Sequence, residues 1–369
     1  MPDDVVSGRE IRLAIFDWEN WWVENVTKRG HLLFAEVFSP HTADPLHGRP
    51  AVYLDQGHWS TVAQALLDPG RILSASKLKA AMRIVELASD DGIVLPLGAA
   101  NFTETSRLHG DRRYEVGVAM ASLAGGWQMR HPLGVRRDEM FHAVADSFGV
   151  EAAAPTERSV VTLEPHAFLN DNVDAGALSA DDPRLFMLAA TSSSVMTELL
   201  IDPKPLEDLP PAAWTAANQA QGDLISGSGW PKERKRQMSY AFALADHQND
   251  VLSAMQRLGL DPRRMSELSG ADVVGLFRRG RMIDLYTRVA AMRHVDQMHK
   301  WRTNDLVDMM FLSCAAAYAG YVAAEKVTGT HLAQAQRGRG DAVNVFTSLE
   351  MLVEALDRDG VQTAKERRA

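Results

Sequence analysis

The stretch Ala51-Val52-Tyr53-Leu54-Asp55 is a short apolar run that ends in a carboxylate. An apolar run without polar alternation is typical of a strand that is buried on both faces of a parallel sheet. A carboxylate at the end of a buried strand is costly unless it is hydrogen-bonded, paired with a cation or bound to a metal. The stretch therefore predicts a parallel sheet with a polar site at its edge.

Regular elements follow this stretch along the chain. Apolar residues recur with helical spacing at 59–67, 76–88 and 101–124, and a second strand candidate, Ile93-Val94-Leu95-Pro96-Leu97, lies among them. Gly125-Gly126 ends the last of these helices. This strand–helix–strand–helix order predicts a parallel, right-handed α/β unit.

The pattern changes between about residue 150 and residue 300. One strand-like run at 159–163 is followed by helical periodicity, with a proline-rich separator at 203–211. The predicted helices of this region cover 212–225, 233–258, 263–268 and 281–301. From Asn304 the helix–strand pattern resumes, with a helix at 305–318, a strand at 321–325 and a strand–helix unit at 342–358.

These patterns divide the chain into four segments. Residues 1–49 form an irregular N-terminal extension, and Pro40, Pro45 and Pro50 then break the chain as in a connector. Residues 50–150 form the first part of an α/β domain, 151–300 a large and mainly helical insertion, and 301–369 the second part of that domain with a C-terminal tail. We therefore expect an α/β fold whose parallel sheet is flanked by helices.

Composition indicates a packed intracellular globule. Of 369 residues, 46% are hydrophobic and 24% charged, which is ordinary for a globular chain. The single cysteine, Cys314, has no partner within the chain, and this suits a reducing cytosol. The N-terminus Met1-Pro2-Asp3-Asp4 is acidic where an export signal is basic. The longest apolar run, 309–324, is too short to span a bilayer. We expect a cytoplasmic protein without a membrane partner.

The formal net charge of −9 weighs against a protein that coats duplex nucleic acid. Three local basic clusters stand out against it: Lys232-Glu233-Arg234-Lys235-Arg236, Arg278-Arg279-Gly280-Arg281 and Arg337-Gly338-Arg339. Each is either part of a basic path around an acidic site or a solvated helix face or loop.

Acidic residues follow the predicted strands. Asp55 and Glu325 each come at the carboxyl end of a strand, which is where open α/β sheets place their sites. Glu104 lies in the helix after the second strand, and Asp305 and Asp308 share one face at a helix start. Carboxylates that converge at one sheet edge repel one another, and a divalent cation relieves that repulsion. A ligand set made only of oxygens selects Mg²⁺ or Mn²⁺.

The order of these motifs resembles that of the PIN-domain (PIN-like) nucleases. The resemblance rests on Tyr53-Leu54-Asp55, on Asn101-Phe102-Thr103-Glu104, on Asn304-Asp305-Leu306-Val307-Asp308 and on Val322-Ala323-Ala324-Glu325. It covers roughly 50–130 and 300–358, with Glu325 standing where the family more often has Asp or Asn. The insertion is far larger than in the small toxin-type members of the family.

The resemblance implies an Mg²⁺- or Mn²⁺-dependent endonuclease that hydrolyses phosphodiester bonds, in RNA rather than DNA. Its metal ligands would be Asp55, Glu104, Asp308 and Glu325, and its catalytic set would add Asp305. A homo-oligomer or an inhibitor protein remains open as a partner. The alternatives are a catalytically degenerate PIN-like scaffold that binds protein or RNA, and a nuclease directed at DNA.

Other chemistries find less support. The 12 histidines include no pair at zinc-ligand spacing, and no phosphate-binding P-loop occurs. Cys314 lies in an apolar helix and is expected to be inert core. The aromatic stretch 16–22 predicts a hydrophobic clasp or a base-stacking surface. Four basic residues on the way to the acidic site either meet phosphate or form a solvated helix face: Arg288, Arg293, His294 and Lys300.

Overall fold

The computed structural model describes residues 10–39, 45–151, 158–170, 182–202, 212–296 and 300–369. The protein is mixed α/β, as the sequence predicts, and most of its regular structure is helical. The predicted proline-rich separator at 203–211, the acidic N-terminus and Pro40 of the connector lie outside the described residues.

The strands form two three-stranded sheets and one short antiparallel pair. They are β1 (Ile11–Asp17), β2 (Trp22–Thr27), β3 (Leu32–Glu36), β4 (Val52–Leu54), β5 (Gln128–Met129), β6 (Val161–Thr162), β7 (Tyr321–Ala323) and β8 (Val345–Phe346). The first three strands form an antiparallel meander. The prediction that residues 1–49 are irregular is therefore wrong for 11–36.

The helices account for most of the remaining described chain. They are α1 (Gln56–Leu67), α2 (Ala75–Ser89), α3 (Ala99–Ser106), α4 (Gly110–Ala124), α5 (Pro132–Phe148), α6 (Pro183–Ile201), α7 (Ala212–Gly227), α8 (Lys232–Asp246), α9 (Gln248–Arg257), α10 (Gly270–Arg279), α11 (Arg281–Val295), α12 (Asp305–Tyr318), α13 (Lys326–Arg339), α14 (Leu349–Arg358) and α15 (Ala364–Arg368). The single helix predicted over 101–124 is broken into α3 and α4, and that over 233–258 into α8 and α9. The helix predicted at 263–268 is a 3₁₀ helix at Pro262–Glu267.

A parallel sheet stands at the centre of the molecule. Its strands β4, β7 and β8 run parallel in that order. The predicted second strand at 93–97 is an extended segment that extends the sheet beyond β4 through single parallel bridges, Ala51 to Val94 and Leu97 to Gln128 of β5. The carboxyl ends of all these segments therefore meet at one edge.

Helices cover both faces of this sheet. Along β4, Val52 and Leu54 face one core with α1, α2, α4 and α14, while Ala51 and Tyr53 face a second core with α11 and α12. This alternation makes β4 the buried strand that its apolar sequence predicts. Helix α11 shares a core with the sheet, although it belongs by sequence to the predicted insertion.

The N-terminal meander packs its inner face on α6 and leaves its outer face apolar. Val23 and Ala35 pack with Ala189 of α6. Trp18 and Trp21 contact the ring of Phe186, so the predicted aromatic clasp is present. Among the described residues, α6 is the one helix that is long and apolar enough to cross a membrane. Half of this helix is buried, as in a core helix of a globular protein, so it is weak evidence for a membrane span.

Candidate metal centre

Asp55 joins the ends of two neighbouring strands. It follows β4 directly and caps α1, where its Oδ1 accepts from the backbone N–H of Gln56 at 2.8 Å. Its Oδ2 accepts from the backbone N–H of Glu325 at 3.2 Å. Because β4 and β7 are parallel and in register, the residues that follow them lie side by side. The sheet therefore brings together two of the predicted acids.

Glu325 starts α13 as its N-cap. Its Oε1 accepts from the backbone N–H of Thr328 at 3.0 Å and from the Thr328 hydroxyl at 2.7 Å. The side chain is exposed at the sheet edge. Its local role is thus that of a capping carboxylate, and it keeps solvent access beside Asp55.

Glu104 comes from α3, which begins where the 93–97 segment ends. The start of α3 is closed by Asn101, whose Oδ1 accepts from the backbone N–H of Gly98 at 3.0 Å. A Cβ on Gly98 would lie only 3.1 Å from the Phe311 ring, so the glycine permits α3 to approach α12 closely. In addition, the amide of Gln56 donates to Thr105 Oγ1 at 3.1 Å and ties α1 to α3.

Asp308 lies in the first turn of α12 and faces Glu104 across a cavity. The cavity has a volume of about 340 Å³ and opens to solvent. Its polar lining includes Thr103, Glu104, Arg107, His131, Asn304 and Asp308. Within the described chain, neither Glu104 nor Asp308 has a hydrogen-bonded partner for its carboxylate. Two of the predicted ligands thus line one cavity, while Asp55 and Glu325 lie at the adjoining strand ends.

Burial and neighbouring negative charges raise the pKa of three of these carboxyls: Asp55, Glu104 and Asp308. Burial, followed by the charges of Asp55, Glu104 and Glu325, raises the pKa of Asp308 to about 7. Burial and the charge of Asp55 raise the pKa of Glu104 to about 7. The pKa of Asp55 is also raised by burial, although its backbone donors oppose the shift. The four acids therefore lie close enough to repel one another in a setting that disfavours charge.

Asp305 has a structural role that its neighbour Asp308 lacks. Its Oδ1 accepts from Arg293 Nη2 at 3.1 Å, and both side chains are almost fully buried. Its Oδ2 accepts from the backbone N–H of Arg302 at 2.7 Å. The helix spacing puts Asp305 and Asp308 on one face, but the buried ion pair holds Asp305 against α11.

The oxygen atoms around this site are of the kind that bind a hard divalent cation. All the charged donors are carboxylate oxygens, and the amide Oε1 of Gln56, next to Asp55, is buried without a partner in the described chain. Across those same residues, no three His, Cys, Asp or Glu side chains stand close enough together to hold one ion as they are. The side chains therefore have to move inward, or water has to complete the shell, to coordinate a cation.

Arg107 and His131 line the cavity and were not singled out from the sequence. Arg107 follows α3 and its charge opposes the rise in the pKa of Glu104. His131 Nδ1 accepts from the backbone N–H of Leu133 at 3.2 Å, so the neutral ring carries its proton on Nε2. His131 comes two residues after β5, so it follows a strand end as Asp55 does, but this strand has no signal in the sequence.

Several other sequence-based candidates have structural roles. Arg293 and His294 are buried, so the hypothesis of a solvated helix face is wrong for both. His294 Nε2 meets Asn218 Oδ1 at 2.9 Å. Arg288 pairs with Asp284 at 2.8 Å. Cys314 is fully buried, and burial raises the pKa of its thiol far above the ordinary range, as expected of inert core.

Comparison with protein-family models, curated proteins and solved structures finds no match to this chain. The functional argument therefore rests on the residues themselves.

Proposed function

We propose that this chain is a metal-dependent nuclease of the PIN-like type that hydrolyses phosphodiester bonds in RNA. The observation that carries the proposal is that Asp55, Glu104, Asp308 and Glu325, from four separate elements, lie around the carboxyl edge of one parallel sheet and near enough to repel one another. Mutual repulsion among them has no structural benefit. A site that pays this cost in stability is typical of a functional centre.

The proposed ligands of Mg²⁺ or Mn²⁺ are these four carboxylates, with Gln56 Oε1 beside them. A bound cation of this kind supplies Lewis-acid stabilisation of charge on phosphate oxygens and lowers the pKa of bound water. Asp308 and Glu104 face each other across the cavity and are the ligands that can move most easily, because no hydrogen bond within the described chain holds their carboxylates. Asp305 acts as a positioning residue, since its pair with Arg293 fixes the start of α12.

Arg107 and His131 supply the donors for an anionic substrate. Both line the cavity that Glu104 and Asp308 share. A guanidinium offers a fork of N–H donors that matches phosphate oxygens. The Nε2–H of His131 is a second donor. The cavity thus combines carboxylates for a cation with donors for the phosphate group that the cation would polarise.

A catalytically degenerate scaffold is the alternative that one observation favours. Both oxygens of Asp55 and the Oε1 of Glu325 accept hydrogen bonds from the backbone as helix caps or cross-strand contacts. Such carboxylates stabilise the fold without any metal. In that case the edge would bind protein or RNA without cutting it.

A cleavage assay distinguishes the nuclease from the degenerate scaffold. Labelled single-stranded RNA and DNA of the same sequence are incubated with the parent chain and Mn²⁺, beside Glu104→Gln and, as a matched control, Glu354→Gln. Glu354 is exposed on α14. We expect RNA cleavage by the parent and the control and a loss of orders of magnitude in Glu104→Gln. Absence of cleavage by the parent, together with no Mn²⁺ binding in calorimetry at millimolar concentrations, would favour the scaffold.

A further inference from the structure

A second cleft lies where the helical region meets the α/β part of the chain. Helices α8, α11 and α13 form its walls, and its volume is about 470 Å³, which lies within the range of small-molecule sites. We name it the junction cleft; its lining includes Lys232, Arg236, Tyr240, Arg288, Met292 and His331. The sequence singles out Lys232, Arg236 and Arg288 as basic residues, and the fold brings these three together in this cleft.

The junction cleft is cationic on a chain of net charge −9. Lys232, Arg236 and Arg288 line it with one carboxylate, Asp296, and Arg288 is already paired with Asp284 behind the wall at 2.8 Å. Within the described chain, Lys232 makes no hydrogen bond or ion pair, and Arg236 has only an exposed contact with Glu233 at 3.5 Å. Two cations are therefore held near the opening without strong internal partners, as a site for an anionic group requires.

The first basic cluster of the sequence lines this cleft, and parts of the other two clusters lie near it. Lys232 and Arg236 belong to the first cluster, and Arg288 donates to the backbone carbonyl of Gly338 in the third at 3.3 Å. Arg278, of the second cluster, lines a neighbouring cleft of about 720 Å³ that shares Arg236 and Tyr240 with the first. Arg236 thus stands between two adjoining clefts, so a chain with repeated negative charges could meet cations on both sides of α8.

The floor of the junction cleft is apolar. It consists of Ala291, Met292, Val295, Ala335 and the ring of Tyr240. The Tyr240 hydroxyl is buried in the wall and finds no hydrogen-bond partner among the described residues. A small inorganic anion would leave this floor unused. A flat aromatic group joined to a phosphate would use both the floor and the cationic rim.

The cleft is connected to the acidic site through α13. Glu325 caps the N-terminus of this helix, and His331 follows six residues later, about 9 Å further along the axis at the usual rise. Helix α11, which supplies Arg288 and Met292, also packs against α12, the helix that carries Asp308. A strand only a few nucleotides long spans such a distance.

We propose that the junction cleft binds a nucleotide of a single-stranded nucleic acid, with phosphate at Lys232 and Arg236, beside the paired Arg288, and the base on the apolar floor. The choice of a strand over a free nucleotide rests on the proposed function of the acidic site. The helical region is then the part of the chain that holds the substrate, and the sheet edge is the part that cuts it.

Fluorescence anisotropy of a short labelled single-stranded RNA tests this in EDTA, where no cleavage occurs. The double variant Lys232→Ala/Arg236→Ala is compared with Lys77→Ala/Lys79→Ala, which removes the same charge from the exposed face of α2. We expect at least about a tenfold loss of affinity in the first variant and none in the second. The slope of log K against log salt concentration should fall by about 0.7 for each phosphate contact removed.

Two results would overturn the proposal: equal RNA affinity in both double variants, or a free mononucleotide that binds the cleft as tightly as the strand. Cleavage is measured separately with Mn²⁺. If the parent never cuts RNA but Lys232→Ala/Arg236→Ala loses RNA binding, the proposed nuclease function is wrong and the proposed binding site in the cleft stands. If the parent cuts RNA and both double variants bind RNA equally, only the proposed binding site in the cleft is wrong.

Discussion

Replacing Asp308 by Asn should stabilise the metal-free protein at neutral and basic pH. The carboxyl has an ordinary pKa of 3.8, and burial with neighbouring negative charges raises it to about 7 in the folded chain. One pKa unit corresponds to about 1.4 kcal/mol, so ionisation costs the fold up to about 4 kcal/mol. Water in the open cavity screens part of this charge, and we expect a gain of about 1–3 kcal/mol in the variant.

The pH dependence of stability shows whether the ionisation of Asp308 causes the difference between the variant and the parent. Between pH 3.8 and about 7 the carboxyl is protonated in the folded chain and ionised in the unfolded chain, so the stability of the parent falls as pH rises through this window. The Asn variant lacks this titration. Its advantage over the parent should therefore be small near pH 4, grow as pH rises, and level off above pH 7.

Differential scanning calorimetry in EDTA at pH 5 and pH 8 measures this effect. At pH 8 we expect the melting temperature of Asp308→Asn to exceed that of the parent by about 1–4 °C, and Glu354→Gln to match the parent. Added Mn²⁺ should raise the melting temperature of the parent more than that of Asp308→Asn. A variant that melts earlier than the parent at both pH values would show that Asp308 is a structural carboxylate and would refute the reasoning.

Three further predictions concern stability and metal affinity. Asp305→Asn should lower stability in urea unfolding by about 3–5 kcal/mol, because it strands the buried charge of Arg293; an unchanged midpoint would contradict the ion pair. Gly280→Ala should cost about 1–3 kcal/mol in the same assay, since a Cβ would lie 2.6 Å from Glu139 Oε2, and a neutral result would contradict this close contact. Titration calorimetry should show weaker Mn²⁺ binding at pH 6 than at pH 8, because a cation must displace protons from carboxyls such as Glu104 whose pKa is about 7; equal affinities would argue against these ligands.

The sequence predicted the sheet edge because its signal is local. Strand β4 is apolar on both faces, and the acid that follows it is conspicuous at once. The N-terminal meander was missed because Leu13, Ile15, Leu32 and Phe34 leave its outer face apolar, so the alternation that marks a half-buried strand is absent. Its inner face is stabilised by contacts with α6, more than 150 residues away in the chain, which no local window contains.

The sequence could not separate the role of Asp305 from that of Asp308, because the contacts that distinguish them come from another helix. Spacing alone places both at the start of α12, on one face. What separates them is Arg293 on α11, which pairs with Asp305 and leaves Asp308 beside Glu104. His131 was missed for a related reason: β5 has two residues, too few for a sequence pattern, and it is defined by pairing with Leu97 and β6.

The charge distribution limits how such a protein can bind a polyanion. A net charge of −9 repels nucleic acid at long range, so binding has to depend on a few short-range contacts. Because Arg288 is already paired with Asp284, Lys232 and Arg236 can neutralise one or two phosphates, which for a single strand gives a salt slope of about −0.7 to −1.4. This is far shallower than the slope of a protein that coats a duplex. A strand would therefore be retained when its base also reaches the apolar floor, which favours unpaired nucleotides over the stacked bases of a helix.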